Sequence, residues 1–403
     1  MKEYNKHAIL RLVKEKGPVS CTEISRALNI SRTTATVLAN ELCSSGLLKE
    51  IGYGESRGGR KPILFVFNPD YASVGSIELG ATRMALALTD LNARVFAYDE
   101  GTIGEPDPGS LVEVLVTRMR SLLKQANIPE DQLLGLGVSV PGLVDSETGK
   151  LLKAVNLGWE NVPLRSLLGQ RLQVPIYILD KGDAGALGEK WFGAARQCDD
   201  FIYVTVGTGV GSGIISGGQL YRGARHAAGE LGHITVVPNG PRCRCGNVGC
   251  VELYCSASAI ARGAAAKSEP GSTLATKPDL TCRDVYEAAL GGDKCAIEAF
   301  REAGTFLGVA CVTLVHLFNP AMLVFGGGVA QAGELILEPV RAVLKDRLMR
   351  TPLYDVEVAK AGLGVNSGLI GAAAYVIQES LAPRRVVAGE TQIMGNSLGL
   401  IGR

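Results

Sequence analysis

The sequence predicts an α/β protein in two parts: a small winged helix-turn-helix module, then two similar lobes, the second holding a knot of metal-ligating side chains. Three observations predict it. Residues 5–45 carry three helical periodicities spaced as in a helix-turn-helix. The strand–glycine turn–strand segment VGSIELGATRMALALTD (74–90) has a counterpart in FIYVTVGTGVGSGIISGGQL (201–220). Such duplication implies two related lobes with a cleft between them. Residues 229–252 bring one imidazole and three thiols, His233, Cys243, Cys245 and Cys250, into 18 positions.

The first element of the small module has Ile9, Leu12, Val13 and Lys16 at helical spacing and stops at Gly17 and Pro18. The second opens at Ser20 with Glu23 three residues on, a capping box, and turns Ile24, Ala27 and Leu28 inward. Asn29 and Ile30 make a short turn. Ser31 caps a third helix reaching about Ser45, with Ala35, Leu38 and Leu42 facing the core. Its outer face is Arg32, Thr33, Thr36, Val37 and Asn40. Short polar groups and one guanidinium can approach base edges and phosphates, whereas a merely solvated face would more often carry Glu and Lys. Strands over 47–51 and 63–67 flank a glycine-rich tip presenting Arg57, Arg60 and Lys61, a wing suited to phosphate or minor-groove contact. Charge follows the same division. Residues 1–70 hold 11 Lys+Arg and 7 Asp+Glu, net +4, and the remainder 30 and 33, net −3.

The chain has 403 residues, 46% hydrophobic and 20% charged, ample for several cores. It has no run of eighteen apolar residues, so no membrane span is expected. The start, MKEYNKHAILRLVKEKG, reads as a charged amphipathic helix and not a signal peptide. Ten cysteines without such a signal point to a cytoplasmic location, where clustered cysteines usually hold metal. Three thiols and one imidazole suit a structural Zn2+ in tetrahedral geometry, and Gly246 and Gly249 let the chain turn tightly enough for the sulfurs to converge. Cys21, Cys43, Cys198, Cys255, Cys282, Cys295 and Cys311 read as small core residues. Boundaries are expected at 1–70, 71–195 and 196–364. A helix over 365–380 would return to the first lobe, ahead of a loose tail at 381–403. Residues 267–278 read as an exposed loop.

Taken together, ELGH (230–233), CRCGNVGCVE (243–252) and the glycine loops resemble the ROK family, "repressor, open reading frame, kinase". The resemblance covers about residues 5–380. It implies an actin-like (ribonuclease H-like) sugar-kinase fold, and the fused module resembles the regulator branch typified by xylose and N-acetylglucosamine repressors. It further implies that Glu230, His233 and Glu252 line a sugar pocket, with His233 also binding zinc. Pro141, Gly142, Asn156 and Asp180 would contribute to that pocket.

Family kinases carry Asp-x-Gly-Gly-Thr in the first phosphate loop, where this chain has Glu78-Leu79-Gly80-Ala81-Thr82. They also carry Asn-Asp-Ala-Asn ahead of a helix ending Ala-Leu-Gly-Glu, and that Asp takes the proton from the sugar hydroxyl. Counting back from Ala186-Leu187-Gly188-Glu189, the base position falls on Lys181, between Asp180 and Asp183. A protonated Lys accepts no proton, and loss of a positioned base costs roughly 10²–10⁴-fold in rate. Gly207, Thr208 and Gly209 of the second loop are retained, as are Gly326 and Gly327 under a would-be nucleotide base. These loops read as vestigial and leave residual ATP binding open. The expectation is a sugar-responsive DNA-binding repressor of carbohydrate-utilisation genes, a homodimer or homotetramer on operator DNA with a small sugar effector. An active ATP-dependent sugar kinase with a DNA-binding head is the alternative. Control by a protein partner is a third.

Overall fold

The computed structural model describes residues 1–55, 61–104, 107–268, 272–275, 277 and 279–381. Helix α1 (Lys2–Lys16) ends at Gly17, whose φ of +78° suits glycine. After strand β1 (Val19–Ser20), helix α2 (Cys21–Leu28) starts with both halves of the capping box. Glu23 N–H donates to Ser20 Oγ (3.3 Å), and Ser20 N–H donates to Glu23 Oε2 (2.7 Å). Asn29, left-handed at φ +50°, closes it. Helix α3 (Arg32–Ser44) is capped by Ser31, whose Oγ accepts from Thr34 N–H at 3.0 Å. Strands β2 (Leu48–Tyr53) and β3 (Ile63–Phe67) form the wing, and β1 adds to it in the order β1-β3-β2. One residue is corrected here, and one strand is added. Ala27 is exposed, because α2 buries little beyond Ile24, and β1 is too short for its periodicity to show in sequence.

The first lobe contains β4 (Ser73–Leu79), β5 (Arg83–Thr89), β6 (Val95–Thr102), α4 (Pro108–Gln125) and β7 (Leu133–Val140). The ribbon β8 (Leu143–Asp145), β9 (Lys150–Ala154) and β10 (Trp159–Val162) follows. Then come α5 (Leu164–Gly169), β11 (Ile176–Asp180) and α6 (Lys181–Phe192). The second lobe contains β12 (Phe201–Val206), β13 (Val210–Ser216), β14 (Gln219–Leu220), α7 (Glu252–Cys255), α8 (Ala257–Lys267), α9 (Cys282–Leu290) and α10 (Lys294–Phe318). It ends with β15 (Met322–Gly326), α11 (Glu334–Arg347) and β16 (Glu357–Lys360), and α12 (Ser367–Leu381) closes the described chain. The two sheets share one plan, β6-β5-β4-β7-β11 and β14-β13-β12-β15-β16. In each, the first three strands are antiparallel and the last two add in parallel. The duplication read from residues 74–90 and 201–220 is therefore a repeated sheet.

Helix α10 is the one described helix long and apolar enough to cross a bilayer. Its Phe300, Leu307, Cys311 and Val315 instead face the core of the second lobe. Leu274 is buried in that same core, and Asp293 accepts from Ser272 Oγ and Thr273 N–H. Within the described part of 267–278, Thr273, Ala275 and Lys277 are exposed, as expected of a loop, while Leu274 and the Asp293 contacts anchor it. Among the scattered cysteines Cys255 and Cys311 are buried. Cys21, Cys43, Cys198, Cys282 and Cys295 are half-buried, because each sits at the edge of its helix or loop.

The winged module shares one core with the body. Ile9, Leu10, Leu38, Leu42 and Phe65 pack in a cluster with Val74, Leu91 and the α12 residues Ala373, Val376 and Ile377. Helix α6 lies between the lobes. Its Gly188 faces Gly371 of α12, while Gly182 and Gly185 lie against Ser212 and Tyr203 of the second sheet. Both chain crossings between the lobes, at 193–200 and 361–366, meet at the end of α6. There the fully buried Glu189 carboxylate accepts from Ala194 N–H (2.7 Å), Gly362 N–H (2.9 Å), Leu363 N–H (3.0 Å) and Ser367 Oγ (2.8 Å). Removing that acceptor strands three backbone donors in the interior. Glu189→Ala is expected to cost roughly 3 kcal/mol or more in urea unfolding. A loss below about 1 kcal/mol, the worth of one ordinary hydrogen bond, would show that the crossings are held by other contacts.

Candidate functional site: a cleft with a thiol-imidazole knot

A cleft of about 980 Å³ runs between the two sheets. Asn156, Asp180, Glu230, His233 and Glu252 all line it, with Pro141 and Gly142 beside them. Each reaches it from a different element. Asp180 is the N-cap of α6, where its Oδ1 accepts from Asp183 N–H at 2.9 Å. Glu230 precedes a short 3-10 turn, Leu231–His233, and Glu252 begins α7. Glu252 Oε2 accepts from Val210 N–H at 3.0 Å, which fixes it beside the second glycine loop.

Burial raises the pKa of the Glu230 carboxyl, and nearby Asp180 and Glu252 add to this while His233 opposes it. Burial likewise raises Asp180, against hydrogen bonds from the start of α6 that favour its charged form. Asp183 is raised further, by burial and then by Asp180, although Arg222 lies 3.4 Å away. A group of partly buried carboxylates with an amide and an imidazole offers acceptors and donors at several angles. That is what a ligand rich in neighbouring hydroxyls requires.

His233, Cys243, Cys245 and Cys250 form one cluster whose ligand atoms all lie within 4.8 Å of one another. Cys245 Sγ and Cys250 Sγ are 3.8 Å apart, and Cys243 Sγ is 3.9 Å from His233 Nδ1. Tetrahedral bonds of about 2.3 Å from one ion to two thiolates would separate the sulfurs by about 3.8 Å. The donor set therefore fits a tetrahedral metal of borderline softness, with His233 ligating through Nδ1. Asn247 Nδ2 donates to His233 O (3.0 Å) and to Thr235 Oγ1 (3.1 Å), bracing the knot from outside. Gly249 (φ +62°) is required where its α-carbon crosses Val237 O. The knot stands between Glu230 and Glu252 in sequence, and Val251 N–H donates to Ile234 O (3.1 Å). Glu230 thus lies three residues before His233, and Glu252 two residues after Cys250.

Lys181 Nζ lies 2.7 Å from Glu78 Oε1. This ion pair joins two of the departures from the family pattern, both lining the cleft. Gly80, Thr82, Gly207, Thr208, Gly209 and Gly327 also line it, while Gly326 lies below, against Tyr203. Packing accounts for several of these glycines without phosphate. A Cβ on Gly209 would come 2.5 Å from Glu252 Oε2, one on Gly326 would enter the Tyr203 ring, and Gly327 has φ +86°.

On the winged module Arg32, Thr33, Thr36, Val37 and Asn40 are all exposed on one face of α3, with Ala35, Leu38, Ala39 and Leu42 buried behind them. Thr36 Oγ1 donates back to Arg32 O at 2.9 Å. Lys61 is exposed, and Arg57 and Arg60 lie outside the described residues. Sequence reasoning missed Arg222, which reaches from the second lobe to Asp183 and Tyr375 (3.3 Å). It also missed Lys14, whose ammonium lies over aromatic rings of the body. Neither has a local sequence signal.

A sugar-kinase-like body joined to a winged DNA-binding module defines a class of regulator, and the comparisons agree. Residues 74–379 match the ROK family and residues 2–49 the winged helix-turn-helix DNA-binding family. The chain belongs to the ROK family. The xylose repressor of Caldicellulosiruptor bescii is 34% identical over 389 residues, 95% of this chain and 97% of the repressor. A solved ROK family transcriptional regulator, a homologue of the Escherichia coli MLC protein, matches with TM-score 0.81 at 27% identity, over 94% of this chain and 96% of its own. A ROK glucokinase from Streptomyces griseus, solved with glucose and AMPPNP, matches with TM-score 0.68 at 30% identity, over 76% of this chain and 99% of its own. The relatives support a transcriptional repressor over a kinase.

Metal analysis of the purified chain is expected to find one tetrahedral ion per chain. Cys245→Ser is expected to lose the ion and lower the melting temperature. An unchanged melting temperature in a metal-free variant would sever the knot from the stability of the cleft.

Proposed function

We propose that this chain is a sugar-responsive repressor of carbohydrate-utilisation genes, acting in the cytoplasm, whose kinase-like body binds sugar without phosphorylating it. In this reading residues 1–70 hold operator DNA, through Arg32, Thr33, Thr36 and Asn40 on the groove side and Arg57, Arg60 and Lys61 at the wing. Residues 71–195, with the last helix, and 196–364 are the two lobes that close on the sugar. Asn156, Asp180, Glu230, His233 and Glu252 hold its hydroxyls. His233, Cys243, Cys245 and Cys250 hold a structural Zn2+, which keeps Glu230 and Glu252 in place. The functional unit is a homodimer or homotetramer, because one recognition helix reads too few base pairs.

The observation that carries this reading is the Glu78–Lys181 pair. Where family kinases present a carboxylate to the sugar hydroxyl, this cleft presents an ammonium held by a second carboxylate. A protonated amine in an ion pair accepts no proton. The Glu78 carboxylate would also stand where the first loop meets phosphate. The second reading, an active ATP-dependent kinase with a DNA-binding head, is favoured by one observation. Asp180 lines the cleft one residue before Lys181, and burial raises the pKa of its carboxyl.

Gel shifts at one stated salt concentration, with D-xylose, D-glucose, N-acetyl-D-glucosamine and D-mannose in turn, test the effector. One sugar is expected to change DNA affinity about 5–150-fold. Binding indifferent to every sugar would sink the effector half. Arg32→Ala is expected to weaken DNA binding by about 1–3 kcal/mol. A coupled ATP assay on the same sugars is expected to stay at background. Turnover at ordinary hexokinase rates, abolished by Asp180→Asn, would establish the second reading instead.

A further inference from the structure

We propose that α6 is the rod by which the sugar cleft acts on the DNA-binding module, and that Lys14 is the positioning residue at its far end. The proposal rests on the effector reading above and specifies how the signal travels.

One end of α6 is in the cleft, where Asp180 caps it and Lys181 begins it. Its twelve residues span roughly 18 Å. Its other end presents Trp191 and Phe192 to the winged module. Lys14 of α1 places its Nζ 4.8 Å from the Trp191 ring centre, 5.5 Å from Phe192 and 5.2 Å from Phe67. The same ammonium donates to Leu91 O at 2.8 Å. One cation from the head is therefore held by two rings from α6, one from the wing and one carbonyl from the first lobe. Cation–π attraction grows as the ammonium is desolvated. Burial pulls the Lys14 pKa down to about 7, against the pull of Asp90.

Between its ends α6 touches both moving bodies. Its glycines meet the backbone of α12 on one flank and, on the other, the backbone of β13 and the Tyr203 ring of β12. Arg222 of the second lobe reaches across to Asp183 on α6 and Tyr375 on α12. Glu189, three residues before Phe192, grips both crossings between the lobes. Packing this close transmits a shift rather than absorbing it. When the lobes close on a sugar, α6 moves with the hinge, and the rings at its end carry Lys14 and α1. Helix α1 shares its core with α3, so the recognition face follows.

The test measures coupling, not stability. Duplex DNA selected from a random pool by the wild-type chain is titrated with and without whichever of the four sugars calorimetry shows to bind. Lys14→Met is expected to bind DNA alone and sugar alone as wild type does, while the sugar effect on DNA affinity falls to near onefold. Lys14→Arg, which keeps a cation over the rings, is expected to retain the effect. Trp191→Leu, altering the other side of the same contact, is expected to behave as Lys14→Met. A full sugar response in both Lys14→Met and Trp191→Leu overturns the relay alone. Loss of DNA binding by Lys14→Met without sugar overturns it in favour of a purely structural contact. A wild-type chain that ignores every sugar overturns the effector reading and the relay together.

Discussion

Two sheets and a helix meet along α6 with almost no room between them, and the rest of the molecule is arranged around that contact. Gly182 and Gly188 bring backbone to backbone, against Ser212 and Gly371, and Gly185 makes room for the Tyr203 ring. A methyl group at Gly182 or Gly185 would push α6 off the second sheet, and one at Gly188 would push it off α12. The same helix supplies the cap that faces the cleft and the buried Glu189 that joins the crossings. Tight packing at one element makes cleft, hinge and head a single mechanical problem.

The glycine loops have packing reasons of their own, apart from any phosphate. Gly209 leaves space for Glu252, Gly326 for Tyr203, and Gly327 takes a left-handed backbone beside Val206. These demands hold whether or not a phosphate visits. At Glu78 and Lys181 no such demand protects the side chains, and there the pattern has changed. Glu78 keeps the negative charge of the aspartate in the family pattern, and the positive charge that Lys181 brings is paired with it.

What could be read in the sequence was what depends on near neighbours. The capping box at Ser20 and Glu23, the Ser31 cap and the exposed face of α3 are set within a few residues, and they emerged as expected. So did the repeated strand–turn–strand units, and the knot spacing, because Cys243, Cys245 and Cys250 are close in sequence. Motif resemblance drew attention to Asn156, Asp180, Glu230 and Glu252, and the cleft brings them together. Long-range partners were not legible. Glu189 meets Gly362 across 173 positions, Lys14 meets Leu91 across 77, and Arg222 meets Tyr375 across 153. A lone charged residue on an amphipathic pattern carries no mark of the carbonyl or ring it will find. Ala27 failed for the converse reason, since periodicity assigns a face but not whether anything covers it.

The shared core of the winged module has a consequence for biosynthesis. Ala373, Val376 and Ile377 pack beside Ile9 and Leu10, so the first helix waits for almost the last described one. In a nascent polypeptide α2, α3 and β3 cover part of that face, and the part beside α12 stays uncovered until α12 emerges. Chains released before α12 would leave that part exposed to chaperones and proteases, and synthesis through α12 is what docks the head.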